Sequence, residues 1–143
     1  MFIGEYHHSL DSKNRLALPA KFKTQLTKGA VVTRGLDGAL FIYTKDEWQK
    51  LSDKLATLPL AKAKSRAFVR LMLAGAMELN VDKQGRVVVP DYLKVFAGLN
   101  KSVVIAGVLN RLEIWDDKRW LRYKAETEKD STEIAETLGE LGI

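Results

Sequence analysis

Cysteine is absent from the 143 residues, which removes disulfides, thiolate zinc sites and cysteine nucleophiles together. Histidine occurs only twice, at His7 and His8, and adjacent residues on a strand point to opposite faces, so the pair cannot clasp one ion. One of the two is expected to face the core. No apolar run approaches the roughly 20 residues needed to span a bilayer. Residues 1–10 also lack the basic and apolar regions of a secretory signal. These absences predict a cytoplasmic chain with no membrane partner. No G-x-x-x-x-G-K-[ST] loop, G-x-G-x-x-G turn, zinc-finger or RRM signature is present. No nucleophile, base and metal constellation stands out either, so the sequence reads as non-enzymatic, with no catalytic residues, cofactor or metal site.

What is present is positive charge, unevenly spread. Residues 1–125 carry twenty-two Lys and Arg against twelve Asp and Glu, a net +10, while residues 126–143 carry six acids and one lysine. The basic body suits a polyanionic partner, or serves solubility alone. The acidic tail would repel nucleic acid and is expected to point away from any such surface.

The chain also repeats itself at a spacing of about 71 residues. Asp11-Ser12-Lys13-Asn14-Arg15-Leu16-Ala17-Leu18-Pro19 aligns with Asp82-Lys83-Gln84-Gly85-Arg86-Val87-Val88-Val89-Pro90, and Lys23 then falls on Lys94. After one inserted residue, Val31, Val32, Gly35, Leu40, Ile42 and Trp48 match Val103, Val104, Gly107, Leu112, Ile114 and Trp120. Chance rarely supplies the same order of acid, turn, base, apolar run, proline, hairpin and tryptophan twice.

Each copy opens on period-two alternation: Tyr6, His8 and Leu10 opposite His7 and Ser9, then Met77, Leu79 and Val81 opposite Glu78 and Asn80. A tight reversal follows, with Asn14 in one copy and Gly85 in the other at the position where positive φ is best tolerated. Pro19 and Pro90 suit the first turn of short helices over 20–26 and 91–97, the latter stopped by Gly98. Strands are predicted over 30–33, 40–43, 103–105 and 112–115. Thr44 and Glu47 form a capping box that starts a helix with Trp48, Leu51, Leu55 and Leu58 on one face, until Pro59 breaks it. A second connector helix over 60–75 is expected to bury Phe68, Leu71 and Met72 and to turn the stripe Lys62, Arg66 and Arg70 to solvent, the alternative being that the stripe lines a subunit boundary. Ile134, Leu138 and Leu141 give the tail a weak helical pattern. The class is α+β: a first hairpin module over 5–47, a helical connector over 48–75, a second module over 76–119 and an acidic helix or tail over 120–143.

The Asp-x-x-x-Arg turns are the candidate sites. Each presents two cations beside a narrow backbone reversal: Lys13 with Arg15, and Lys83 with Arg86. A two-stranded ribbon fits the major groove, where arginine makes bidentate contacts to guanine and lysine serves phosphate. Asp11 and Asp82 would shape the turns, with Asn14 and Gly85, by accepting backbone N–H bonds. The alternative is a purely local Asp–Arg pair that shapes a hairpin. A helix-turn-helix is unsupported, because the short helices each lie between strands. RNA stacking lacks an aromatic platform motif.

The opening Met1-Phe2-Ile3-Gly4-Glu5-Tyr6, with Leu10-Asp11-Ser12-Lys13-Asn14-Arg15-Leu16 and Pro19, closely resembles the start of MraZ proteins. Leu79-Asn80-Val81-Asp82-Lys83-Gln84-Gly85-Arg86 with Pro90, and Arg111-Leu112-Glu113-Ile114-Trp115-Asp116 with Trp120, resemble the family's second half. The resemblance implies two SpoVT-AbrB-type modules joined in a pseudo-symmetric, swapped-hairpin β-barrel with flanking helices. It further implies a nucleoid-associated transcriptional regulator that self-associates into a ring-like homo-oligomer. Its partner would be double-stranded DNA with short direct repeats, in promoters of cell-division and cell-wall gene clusters that include its own gene. The family's DNA-binding arginine falls on Arg15, with Arg86 as its counterpart; Asn14 stands where glycine is usual. An AbrB-like antitoxin or protein-interaction module, suggested by the acidic tail, is the rival reading.

Overall fold

The computed structural model describes residues 1–142; Ile143, the last residue of the expected tail, lies outside the described residues. Among the described residues eight strands form, β1 (Phe2–Ser9), β2 (Arg15–Ala17), β3 (Ala30–Arg34), β4 (Leu40–Thr44), β5 (Met77–Leu79), β6 (Arg86–Val88), β7 (Ser102–Leu109) and β8 (Leu112–Asp116). Six of them build one antiparallel sheet in the order β1-β7-β8-β4-β3-β5, and β2 pairs with β6 in a separate ribbon. The class is α+β, as the pattern predicts. The sheet, however, is open, with β1 and β5 at its edges, and does not close into the expected barrel.

Strand pairing crosses between the two copies. β1 pairs with β7 from Phe2↔Leu109 to Ser9↔Ser102, β5 pairs with β3, and β2 lies antiparallel to β6 as Arg15↔Val88, Leu16↔Val87 and Ala17↔Arg86.

The sheet is covered on both faces, so its central strands are buried along their length. Period-two alternation divides them. Leu40, Ile42, Val103, Ile105, Leu112 and Ile114 face one core, shared with Leu16 and Val87 of the ribbon and with Phe22 and Leu93 of the short helices. Phe41, Tyr43, Val104 and Trp115 face the other, where Leu55, Met72, Trp48 and Trp120 cover them. The result is three layers: ribbon, sheet, helices.

Helix α1 (Ala20–Lys23), continued by a 3₁₀ turn to Leu26, and α4 (Asp91–Ala97) start after Pro19 and Pro90. Gly98 ends α4 at φ 60°, in the left-handed region that glycine enters without strain. Helix α2 (Lys45–Ala56) begins where Thr44 accepts from the Glu47 N–H at 3.2 Å. The capping box is only half formed, since the Glu47 carboxylate pairs with Lys50 instead. Leu58, expected on the buried face, lies beyond the helix end and is 38% exposed.

The connector departs further from expectation. Lys62 N–H closes a turn on Pro59 O, so α3 starts at Ala63 and leaves Lys62 as its cap. Its last part, Arg70–Ala74, winds as a π turn. That wider turn shifts the inward face: Met72 is buried, Leu71 half-buried, and Phe68 stays 36% exposed. Arg70 faces solvent, but Arg66 is half-buried and folds back to donate to Leu60 O and Ala61 O. The tail is helical, in α5 (Asp117–Lys129) and α6 (Ser131–Thr137). Its root joins the helical face through Trp120, opposite the ribbon.

Candidate nucleic-acid interface

The two Asp-x-x-x-Arg segments fold into the same structure. Asn14 N–H donates to Asp11 O and Gly85 N–H to Asp82 O, each at 3.0 Å. Asp11 Oδ1 accepts from Lys13 N–H at 2.9 Å and Arg15 N–H at 2.8 Å; Asp82 Oδ1 accepts from Gln84 N–H and Arg86 N–H at the same distances. Asn14 at φ 59° and Gly85 at φ 77° occupy the matching left-handed position. The two turns are thus closed by one and the same set of backbone and carboxylate bonds.

The second carboxylate oxygen holds the guanidinium. Arg15 Nε donates to Asp11 Oδ2 at 2.6 Å and Arg86 Nε to Asp82 Oδ2 at 3.0 Å. The Arg15 main-chain N–H foremost, then its guanidinium and the Lys13 N–H, hold the Asp11 carboxyl down at about 2. Asp82 is lowered by the same set of contacts from Arg86 and Gln84. Both aspartates therefore stay ionised and both guanidinium planes stay anchored by one edge. Among the described residues, no protein acceptor takes the Nη atoms of either arginine.

Alternation sets where those free edges point. Leu16 and Val87 are buried under the ribbon, so Arg15, Ala17, Arg86 and Val88 share its outer face. In that antiparallel register Arg15 sits opposite Val88 and Arg86 opposite Ala17. The arginines are diagonal neighbours with Cα atoms about 8 Å apart, from strand rise and spacing. Small Ala17 and 55% exposed Val88 leave the face between them low. Lys13 and Lys83 are exposed at the turns.

Two further lysines converge here that the turn motif does not include. The copies interlock at the turns: Leu18 N–H donates to Gly85 O, and Val89 N–H to Asn14 O. Lys94 of the second copy donates to Asn14 Oδ1 in the first at 3.2 Å. A Cβ on Gly85 would meet the Lys23 side chain at 2.8 Å. Their shared place, four residues after each proline, is visible in the sequence, but their neighbour in the opposite copy is not. Elsewhere, His7 is exposed and touches Glu5 and Asp117. His8 is half-buried, and burial holds its imidazole below its usual pKa.

Fold and site together define a duplicated β-hairpin protein that carries two anchored arginines on one exposed ribbon. The chain belongs to the MraZ family: the model described as "MraZ protein, putative antitoxin-like" matches residues 1–71 and again 72–140. Relatives named "Transcriptional regulator MraZ" from Pediococcus pentosaceus and Clostridium botulinum are each 50% identical over 143 residues, covering all of both chains. One from Halothermothrix orenii is 48% identical over the same full length.

Proposed function

We propose that this chain is a sequence-specific, DNA-binding transcriptional regulator, as its relatives' name suggests, and that the β2–β6 ribbon enters the major groove. The observation that carries this reading is the pinning of both guanidinium groups through Nε, with both Nη edges free on one outward face. A guanidinium held this way has lost most of its rotamer freedom before DNA arrives, which lowers the cost of a bidentate guanine contact. Arginines about 8 Å apart reach base pairs two to three steps apart at ~3.4 Å per step. Lys13 and Lys83 supply phosphate contacts.

The finer assignments extend the same reading. Residues 5–47 and 76–119 act as two SpoVT-AbrB-like modules with exchanged hairpins, 48–75 connects them and 120–143 forms the tail. Copies of the chain assemble into a ring on short direct repeats, in the promoter of a cell-division and cell-wall gene cluster containing its own gene. The chain is cytoplasmic, associates with the nucleoid and is not an enzyme. The family's antitoxin-like description favours a second reading, capture of a protein partner. Two ribbon-forming copies and a short tail support DNA over it.

The test is a fluorescence-anisotropy titration of the duplex upstream of this chain's own gene, against a random duplex, at two salt concentrations. Wild type is expected to prefer its own upstream DNA, and Arg15→Ala and Arg86→Ala to lose that preference. Equal affinity of wild type for both duplexes would overturn sequence-specific binding.

A further inference from the structure

We propose that each arginine turn is completed by a lysine from the opposite copy, with unequal roles: Lys23 contacts DNA phosphate at the second turn, while Asn14 restrains Lys94 at the first. The inference rests on the DNA-binding reading above and adds two residues to its site.

Both lysines stand four residues after a proline that starts a helix, and one helical turn returns them over the helix start. That start abuts the other copy's turn, because Leu18 is bonded to Gly85 and Val89 to Asn14. Backbone placement is thus equivalent in the two copies, and the difference lies in side chains.

At the second turn Gly85 presents bare backbone. The Cδ, Cε and Nζ atoms of Lys23 lie 2.8, 3.1 and 3.2 Å from where a Cβ would stand, so glycine is what admits the lysine stem. The stem covers the turn and the ammonium has no acceptor among the described residues, an arrangement in which the charged head stays available to solvent or an anion. At the first turn Asn14 replaces that bare backbone. Its Oδ1 accepts from Lys94 Nζ, and its Nδ2 donates to Asp91 Oδ1. The counterpart of Asp91 is Ala20, which carries no charge. The first turn therefore sets Lys13, Arg15 and Lys94 against Asp11 and Asp91, a net +1; the second sets Lys83, Arg86 and Lys23 against Asp82, a net +2. A phosphate approaching the second turn meets a lysine that need not leave a partner.

The experiment compares Lys23→Met and Lys94→Met with wild type, since methionine keeps an unbranched stem over the turn and removes the charge. Affinity for a short random duplex is measured by anisotropy across a salt series, with thermal melting of the same samples. Each phosphate contact contributes about 0.9 to the slope of log affinity against log salt. Lys23→Met is expected to flatten the slope by that amount per bound subunit, so that it loses about 3–4-fold less affinity than wild type over a fourfold rise in salt. Lys94→Met is expected to change the slope by less than half as much, Asn14→Gly to steepen it by freeing Lys94, and Lys23→Arg to retain the wild-type slope. An unchanged slope in Lys23→Met, or an equal change in Lys94→Met, overturns the inference. If Arg15→Ala still abolishes preference for the upstream DNA in that case, the DNA-binding reading stands without it; if wild type binds no duplex, both fall.

Discussion

Arg15 is held by Asp11 within its own turn, a contact that shapes the turn and, in the proposed function, also presents the guanidinium to DNA; measurement separates the two roles. If Arg15 makes a bidentate guanine contact, Arg15→Ala should cost about 1–3 kcal/mol per engaged site on cognate DNA, and much less on random DNA. Arg15→Lys should rescue little, because a point charge lacks the planar fork. A purely structural arginine would instead lower the melting temperature and leave cognate binding by the folded protein intact. The aspartates make a separate prediction. Asp11 ionises at about 2 in the fold against its ordinary 3.8, so the unfolded chain holds more protons in that window. The stabilisation is fully present above about pH 5 and is lost as pH falls through 3.8 toward 2, with Asp82 adding in the same direction. Thermal melts should show a gap between wild type and an Asp11→Asn, Asp82→Asn double variant that is constant from about pH 7 to 5 and closes toward pH 2. A gap undiminished at the acid end would contradict this account.

At the scale of strands and helices, the crossed pairing has a direct consequence. A fragment of residues 1–75 keeps β3 and β4 but loses β7 from β1, β5 from β3 and β6 from β2. Neither it nor residues 76–143 can cover its apolar strands alone. Each half is expected to show no cooperative melt by circular dichroism, and an equimolar mixture to recover one; a half that melts cooperatively by itself would disprove the dependence. This crossing also marks the limit of what the sequence made legible. Alternation and turn residues made the β3–β4 and β7–β8 hairpins legible, and Gly98 the α4 stop, whereas the first hairpin expected in each copy does not pair with itself: β1 goes to β7, β5 to β3, and β2 to β6. Alternation does not show which strand is the partner, because two copies with the same pattern are equally good partners for one another. β7 runs on to Leu109 because β1 supplies a ladder for Gly107–Leu109, and nothing local in those residues announces it. A 3.6-residue period turns Phe68 inward with Met72, and the π turn at Arg70–Ala74 does not keep that period. Lys23 and Lys94 were visible as a repeated position, but their role depends on the opposite copy.

For the whole molecule, layering separates opposite charges: the arginine ribbon lies on one side of the sheet, and the acidic tail is rooted through Trp120 on the other. Deleting residues 126–143 should therefore leave DNA affinity within a few-fold, and a loss of two orders of magnitude would place the tail at the binding surface. One group of exposed apolar side chains lies on α4. Tyr92 donates to Gly75 O at 2.8 Å, Arg34 lies over the rings of Tyr92 and Phe96, and Val95 is 79% exposed beside them. Phe68 and Leu73, on the connector that ends at Gly75, are exposed as well. A cluster of this kind is a candidate contact surface for a second copy of the chain. If both turns bind DNA and the target carries repeats, as proposed above, a closed homo-oligomer is the assembly expected. Light scattering at micromolar concentration should give an integral multiple of the chain mass. Val95→Asp, which charges a site already open to solvent and so spares the fold, should shift the protein toward monomer. The two states then bind differently. On a duplex with one repeat, the variant should match wild type, because the ribbon is untouched. On a duplex with several repeats, it should lose the avidity that links subunits, a drop of 10²-fold or more at the ~mM effective concentrations of such tethers. A wild-type monomer, or a Val95→Asp oligomer with unchanged binding to both duplexes, would remove α4 from the interface.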